Sequence, residues 1–269
     1  MERRFWFAVC LAFLVLICYS ANADPVKYVQ HPNHDISFDY ASHILNGVGF
    51  LMADDWTCSD GLPITDIHWW GSYWVPPTTG PISYSDWRPS APPGGITKFT
   101  IAIFSNVPAN DPNNTLGFAH PGNLNYPLWI GEYTGGWNET FAFSIDKGNG
   151  VYENVYKYSV FLKDGYNPLT QSPSPPTFNQ SKDTTYWLAI WAELPADKQW
   201  GWHEACGHYG NYAVQTEISG TAEDWFIPCG GRDMAFEFTA VPEPSSVLVL
   251  SIGAASLFGL TVIKRKRSS

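Results

Sequence analysis

The chain has 269 residues and a formal net charge of −10, with charged side chains at 15% of its positions and aromatic ones at 16%. Six basic residues lie at the two ends, so the middle lacks the cationic surface on which nucleic-acid binding depends, and we expect no nucleic-acid partner. Without its end segments the chain has the length of one domain, and its 23 Gly and 21 Pro are typical of a turn-rich β protein.

The N-terminal segment has the three parts of a secretory signal peptide. Two arginines precede an apolar run at residues 5–19, and Ala21-Asn22-Ala23 offers the small residues that signal peptidase accepts. An uncleaved anchor would need a longer apolar run and no Ala-x-Ala pattern. We therefore expect cleavage after Ala23, which leaves residues 24–240 as the exported domain.

The domain consists of short apolar or alternating runs separated by clusters of Pro, Gly, Asn and Asp. Strict alternation in Thr97–Phe104 places Phe99, Ile101 and Ile103 on one face of a strand. No stretch has an apolar stripe at helical spacing, so we predict an all-β fold, a single β-sandwich with the jelly roll as its candidate topology. Comparable runs predict further strands at residues 64–74, 128–133, 139–145, 155–162, 186–193, 212–216 and 234–238.

Four acidic residues, Asp54, Asp55, Asp60 and Asp66, precede or begin a predicted strand. Two carboxylates can be the acid and base of a glycosidase or can ligate calcium, but adjacent residues of a strand point to opposite faces. We interpret the segment as a solvated turn, because Asp is a common turn residue. The alternative function is a secreted carbohydrate-active hydrolase that uses carboxylates of residues 54–66.

Tryptophan occurs 13 times. Exposed indoles with acidic and amide neighbours form platforms for sugar rings, whereas buried ones fill the core of a large sandwich. We expect most of them to be core, with Trp69 and Trp70 on opposite faces of one strand. For a ligand-binding rather than a structural domain, the candidate ligand is an extracellular polysaccharide, and the candidate ligand-binding aromatics are Trp69, Trp70, Trp200 and Trp202.

The segment 203–208, His-Glu-Ala-Cys-Gly-His, resembles a zinc-protease motif but has the wrong spacing. Zinc proteases need histidines four residues apart, whereas a separation of five turns them roughly 140° apart on a helix. In a loop, His203, Cys206 and His208 could still meet a metal ion. Since there is also no nucleophile elbow, phosphate loop or EF-hand pattern, we predict no metal site, no cofactor and no catalytic residue, and an enzyme is unsupported.

Three cysteines remain once the signal peptide is removed, which is an odd number in a compartment that favours disulfides. Cys206 and Cys229 are each followed by glycine, where the backbone can bring the two Cα atoms together. We predict a Cys206–Cys229 disulfide that staples the 203–208 loop, with Cys58 as the solitary thiol.

The C-terminal segment has three parts in fixed order: Pro242-Glu243-Pro244, an apolar span at 247–263, and a basic cluster at 264–267. It resembles the PEP-CTERM sorting signal, with Pro242, Glu243 and Pro244 matching the motif. The resemblance implies a transient membrane helix at 247–263 within the tail 241–269, and processing by an exosortase-like enzyme. A plain tail anchor and a GPI-type signal are the competing interpretations, and the Pro-Glu-Pro and basic cluster argue against the second.

Several strings in the domain resemble an uncharacterised secreted family of bacterial proteins that often carry the same tail. This resemblance implies export and a β fold, and it implies no catalytic residue. We therefore expect an exported, surface-sorted protein of the cell envelope or extracellular space, with a non-catalytic structural or ligand-binding domain. The strings are residues 53–58, 63–72, 186–188, 201–202 and 233–238.

Overall fold

The structure of the protein is a computed structural model. It divides the chain into two compact units, one of residues 27–239 and one of residues 1–26 with 240–269, and the account below concerns the first. The predicted signal peptide with Ala23, the motif Pro242-Glu243-Pro244 and the predicted span 247–263 lie outside the described residues. The described residues are 25–35, 38–45, 47–75, 88–89, 95–148, 150–195, 198–218, 224–228 and 230–240.

The described residues form two β-sheets that pack face to face, which confirms the predicted all-β sandwich. Their only helical element is a 3-10 turn at Leu162–Asp164, and no helix among them is long and apolar enough to cross a membrane. The first sheet contains Val26–Gln30 (β1), Asp39–Ala41 (β2), Asp66–Val75 (β5), Arg88–Pro89 (β6), Asn138–Asp146 (β10), Tyr152–Phe161 (β11), Gln199–His203 (β15) and Phe236–Thr239 (β17).

The second sheet contains His43–Leu45 (β3), Val48–Thr57 (β4), Lys98–Val107 (β7), His120–Pro121 (β8), Trp129–Tyr133 (β9), Tyr166–Asn167 (β12), Ser172–Pro173 (β13), Thr185–Glu193 (β14) and Val214–Ile218 (β16). It is centred on β7, which pairs with β9 on one side and β14 on the other. All strand pairs in it are antiparallel except β14 with β3.

The main core lies between the sheets and is built from alternate residues of their strands. Phe99, Ile101 and Ile103 of β7 all enter it, as the alternation of that run predicts, and every other predicted strand overlaps an observed one. Trp69 lies in this core, stacked on Tyr158 with ring centroids 5.5 Å apart. Alternation along the strands therefore accounts for the main core.

Two smaller apolar clusters cover the outer faces of the sheets. One, on the second sheet, includes Phe104, Trp187 and Trp225. The other, on the first sheet, includes Trp70, whose ring lies under the Lys157 ammonium at 4.9 Å. Both faces of each sheet thus carry apolar clusters, and tryptophans pack on both faces.

The prediction of a solvated turn at residues 54–55 was wrong. Asp54 and Asp55 lie inside the ten-residue strand β4 and are 0% and 1% exposed. Asp54 is hydrogen-bonded by the backbone N–H groups of Asp55 and Met234, at 2.8 and 2.6 Å. A buried carboxylate is tolerated when such donors satisfy it, which overrides the preference of Asp for turns.

Candidate functional site

The loop between β15 and β16, residues 204–213, carries the candidate site. Asp233, whose side chain is fully buried, holds the middle of this loop. Its carboxylate accepts hydrogen bonds from the backbone N–H of Tyr209 and from Nδ1 of His208, the latter at 3.0 Å. Because a carboxylate accepts, the proton of the His208 ring is assigned to Nδ1, and Nε2 is the nitrogen that a ligand can reach.

Asp55 holds the same loop from the outer face of β4. Its Oδ1 accepts from the Asn211 backbone N–H at 2.8 Å, and its Oδ2 accepts from the Asn211 side-chain amide at 3.0 Å. The chain approaches Asp55 through Gly210, which has a φ of +82°. Two buried carboxylates therefore position a ten-residue loop, which is the kind of support that a preformed site requires.

The two carboxylates have raised pKa values. Burial raises the pKa of Asp55 to about 6, even though Asn211 hydrogen-bonds its charged form. Burial also raises the pKa of Asp233, again against its hydrogen bonds to the loop. The pKa of Asp54 is also raised, first by burial and then by the charges of Asp233 and Asp55. Three buried acidic groups therefore lie close enough to raise one another's pKa values.

A pocket of about 310 Å³ opens beside this loop, and we call it the histidine pocket. One wall is the stacked pair of His208 and Tyr212, with ring centroids 4.2 Å apart. Four of its lining residues come from the connection between β7 and β8. The pocket is lined by Ala109, Gly117, Phe118, Ala119, His208, Gly210, Asn211, Tyr212 and Ile227.

The lining of the histidine pocket is suited to binding. Its polar groups are one imidazole, one amide and one phenol, and none of its described lining residues is a carboxylate, Ser, Thr or Cys. Asn211 gives its N–H groups to Asp55, which leaves its amide oxygen to accept from a ligand. A few polar groups on an apolar wall are typical of a site for a small neutral molecule.

The residues at positions 54–66 do not line this pocket. Asp54 and Asp55 are buried on opposite sides of β4, and Asp66 is buried against Thr239 and 2.9 Å from His68 Nε2. Asp60 forms an ion pair with Lys27 at the surface. Each carboxylate is thus bonded to protein groups.

The four candidate ligand-binding tryptophans are buried, so the predicted exposed platform at these positions was wrong. Trp69, Trp200 and Trp202 are 0% exposed in the main core, and Trp70 is 7% exposed in the cluster on the outer face of the first sheet. Gly71 leaves room for the Trp200 ring, because a Cβ there would lie 2.4 Å from it. These indoles are therefore packing residues.

The two histidines of segment 203–208 separate in the structure. His208 faces the pocket, whereas His203 is fully buried and contacts Asp39 of β2. Cys206 is an exposed free thiol, with Sγ 4.0 Å from the Tyr209 hydroxyl, and its expected partner Cys229 lies outside the described residues. The structure therefore does not show the disulfide, which stays a prediction. Cys58 is a buried free thiol.

The sequence does not reveal that Asp233 pairs with His208 or that Asp39 pairs with His203. Asp233 is separated from His208 by 25 positions and Asp39 from His203 by 164, so no local spacing reveals either pair. The sequence marks Asp233 only as the first residue of the family-like string 233–238, directly before the closing strand-like run.

Gly210 provides a test of the loop geometry. Changing Gly210→Ala is expected to cost more stability than Gly117→Ala, although both positions have positive φ, +82° and +77°, and both line the pocket. The backbone penalty of about 1–2 kcal/mol is common to both. Only at Gly210 would the new Cβ meet Asp55, at 2.9 Å from Oδ2, whereas at Gly117 no described atom lies within 4 Å. Urea unfolding of the two variants measures the difference, and equal costs would contradict the contact.

No curated protein has a sequence that matches this chain. One domain family does match it, over residues 26–240, which includes both sheets and the histidine pocket. Because the match spans most of its length, the chain belongs to the family described as Domain of unknown function (DUF7901).

Proposed function

We propose that this chain is an exported, surface-sorted protein whose sandwich domain binds extracellular polysaccharide without cleaving it, and that one sugar unit occupies the histidine pocket. The observation that carries the proposal is the loop 204–213, which two buried carboxylates hold in place around a pocket with no carboxylate in its described lining. A glycosidase needs two carboxylates at the sugar, so this lining favours binding over hydrolysis.

The size and chemistry of the pocket support a neutral sugar. Its volume of about 310 Å³ is at the lower end of the range for small-molecule sites. The rings of Phe118, His208 and Tyr212 offer apolar surface to CH groups, while the Asn211 amide oxygen and His208 Nε2 can bond to hydroxyls. No Lys or Arg is among the described lining residues, so an anionic ligand has no partner there.

Export and sorting remain part of the proposal on the strength of the two end segments. Signal peptidase is the proposed enzyme at Ala23, and an exosortase-like enzyme is proposed to recognise Pro242-Glu243-Pro244 while span 247–263 lies in the membrane. For the sandwich itself we propose a jelly-roll arrangement, supported by sheet neighbours that are distant in sequence, such as β17 beside β5.

His208→Ala tests the pocket. On a glycan array followed by calorimetry, we expect the purified protein to bind a neutral polysaccharide and this variant to lose at least about tenfold in affinity, since the stacked wall and one hydrogen bond are removed. His68→Ala is the matched control, because His68 also pairs with an aspartate, 2.9 Å from Asp66, but lies on the first sheet. A blank array without hydrolysis would leave only a structural role, and hydrolysis would favour the enzyme.

Intact-mass measurement tests the two ends. In a host that has the sorting enzyme, we expect a mature chain that begins at Asp24 and lacks the residues after Pro244. The physical reason is that the span and the basic cluster hold the tail in the membrane only until the enzyme has acted. Retention of residues 247–269 in that host would reduce the tail to an ordinary anchor.

A further inference from the structure

A second cluster of ionisable side chains is buried on the outer face of the first sheet and shares no residue with the histidine pocket. Asp39 of β2, Glu153 of β11 and His203 of β15 bring one ligand atom each to within 4.8 Å of one another. The sheet register places them: His203 is the cross-strand partner of Asp39, and Ser72 of β5 lies between β15 and β11.

His203 is oriented as metal-binding histidines are. Its Nε2 lies 2.8 Å from the backbone carbonyl oxygen of Asn33, and because a carbonyl only accepts, Nε2 carries a hydrogen. Its Nδ1 lies 2.5 Å from Asp39 Oδ1 and is therefore the atom that points into the cluster. A backbone carbonyl that fixes one ring nitrogen while the other faces acidic oxygens is the usual surrounding of a histidine ligand.

The hydroxyl of Ser72 faces more acceptor atoms than it has hydrogens. Its oxygen accepts from Trp74 Nε1 at 2.7 Å and contacts two carboxylate oxygens, Asp39 Oδ2 and Glu153 Oε1, the latter at 2.9 Å. One hydroxyl has one hydrogen, so it can donate to only one of the two carboxylates. The other contact is between two oxygens, and it is relieved either by a bound metal ion or by a hydrogen on Glu153.

Lys147 pairs with one carboxylate oxygen of Glu153. Its ammonium lies 2.6 Å from Glu153 Oε2, while Glu153 Oε1 faces Ser72. Asp39 Oδ2 and Glu153 Oε1 therefore meet at the Ser72 hydroxyl, and His203 Nδ1 contacts the other oxygen of Asp39. All three side chains are 0% exposed, where an unbalanced carboxylate would be costly.

We propose that Asp39, Glu153 and His203, with Ser72 as a fourth ligand, bind one divalent transition-metal ion, Zn²⁺ or Mn²⁺. One imidazole with carboxylate and hydroxyl oxygens is a donor set that both ions accept. Bonds of about 2.0–2.1 Å in a tetrahedral site place ligand atoms about 3.3 Å apart, so the side chains need to move by less than about 1 Å. Binding releases the Nδ1 proton of His203 to solvent.

This site would join four strands of the first sheet, β2, β5, β11 and β15, and it goes beyond both the sugar-binding proposal and the sequence expectation of no metal. Asn33 covers it, because its backbone N–H and its side-chain amide both bond to Glu204, at 3.1 and 2.9 Å. With the ligands buried beneath that contact, we expect the ion to enter during folding and to exchange slowly afterwards.

The purified protein is unfolded in urea that contains a chelator and a reductant. The chelator is then removed, and the protein is refolded with Zn²⁺, Mn²⁺ or no metal. We expect about one equivalent of metal per chain after desalting, and a melting temperature several degrees above that of the metal-free protein. Glu153→Gln and His203→Gln are expected to weaken binding at least about tenfold. Two matched controls should retain it: Glu132→Gln, whose carboxylate also pairs with a lysine, 2.7 Å from Lys98, and the pocket variant His208→Gln.

Cobalt provides a readout that does not depend on the variants folding. Refolding the unaltered protein with Co²⁺ should give visible absorption from nitrogen and oxygen ligands, without a near-ultraviolet thiolate band. A thiolate band would assign the metal to Cys206 and overturn the site. Absence of bound metal in the unaltered protein would also overturn the site, and would indicate a proton on Glu153 in its place. Loss of metal in His208→Gln would overturn it as well.

Discussion

Replacing Trp69 by alanine is expected to lower the free energy of unfolding by about 3–5 kcal/mol, the cost typical of removing a large buried aromatic side chain. The Trp69 ring is 0% exposed, stacks on Tyr158 and meets the edge of Phe99 at a centroid distance of 5.0 Å. Phe99 belongs to the opposite sheet, so the cavity would open where the two sheets meet. Urea or thermal unfolding measures the loss.

Tyr126→Ala is the control for this prediction, because Tyr126 is an aromatic residue that is 79% exposed. Its removal should change the free energy of unfolding by no more than about 0.5 kcal/mol. If Trp69→Ala cost less than about 1 kcal/mol, the placement of this indole in the main core would be contradicted, and Trp69 would return to the set of ligand-binding candidates.

The protein is expected to melt at a higher temperature at about pH 5 than at about pH 7.5, with Asp55 responsible for about 1 kcal/mol of the difference. Burial raises the pKa of Asp55 to about 6, against about 3.9 in an unfolded chain. The folded state therefore holds this proton more tightly. The resulting stability is fully present below the unfolded pKa and is lost as pH rises through the folded pKa. Burial raises the pKa values of Asp54 and Asp233 as well, so they change the stability in the same direction.

Asp55→Asn isolates this contribution. The amide has no charge to titrate, and it can keep both contacts to Asn211 if the Asn211 side-chain amide rotates by half a turn. We expect the rise in melting temperature on acidification to be smaller in this variant by about 2–4 °C. Buried groups elsewhere titrate in both proteins and cancel in the comparison. An unchanged pH dependence would show that Asp55 is ionised throughout this range.

The strands were predictable because each run of alternating side chains carries its own evidence. In Thr97–Phe104 the apolar positions mark the inner face, and the same argument places Trp69 and Trp70 on opposite faces. The argument fails for β4, where two aspartates interrupt the pattern and suggest a turn. Their burial depends on donors from Asn211 and Met234, which are distant in sequence.

The histidine pocket was not predictable from the sequence. The segment 203–208 resembles a motif, but its two histidines lie in different sites. The reason is that one belongs to the end of a strand and the other to the loop that leads away from it. His203 ends β15 and meets Asp39, while His208 lies in the loop and meets Asp233. Neither aspartate has a spacing from its histidine that any local rule connects.

The sequence by itself determined the class of the fold, because alternation and turn residues are local properties. It also predicts export and sorting from the order of charged and apolar runs at its two ends, and this stays a prediction. The tertiary structure alone decided which tryptophans are buried, which carboxylates hold the loop, and which acidic residues surround His203. These outcomes depend on strands that pair across the chain, such as β2 with β15 and β17 with β5. Burial and hydrogen bonding there follow from the paired neighbours, and a single strand carries no record of them.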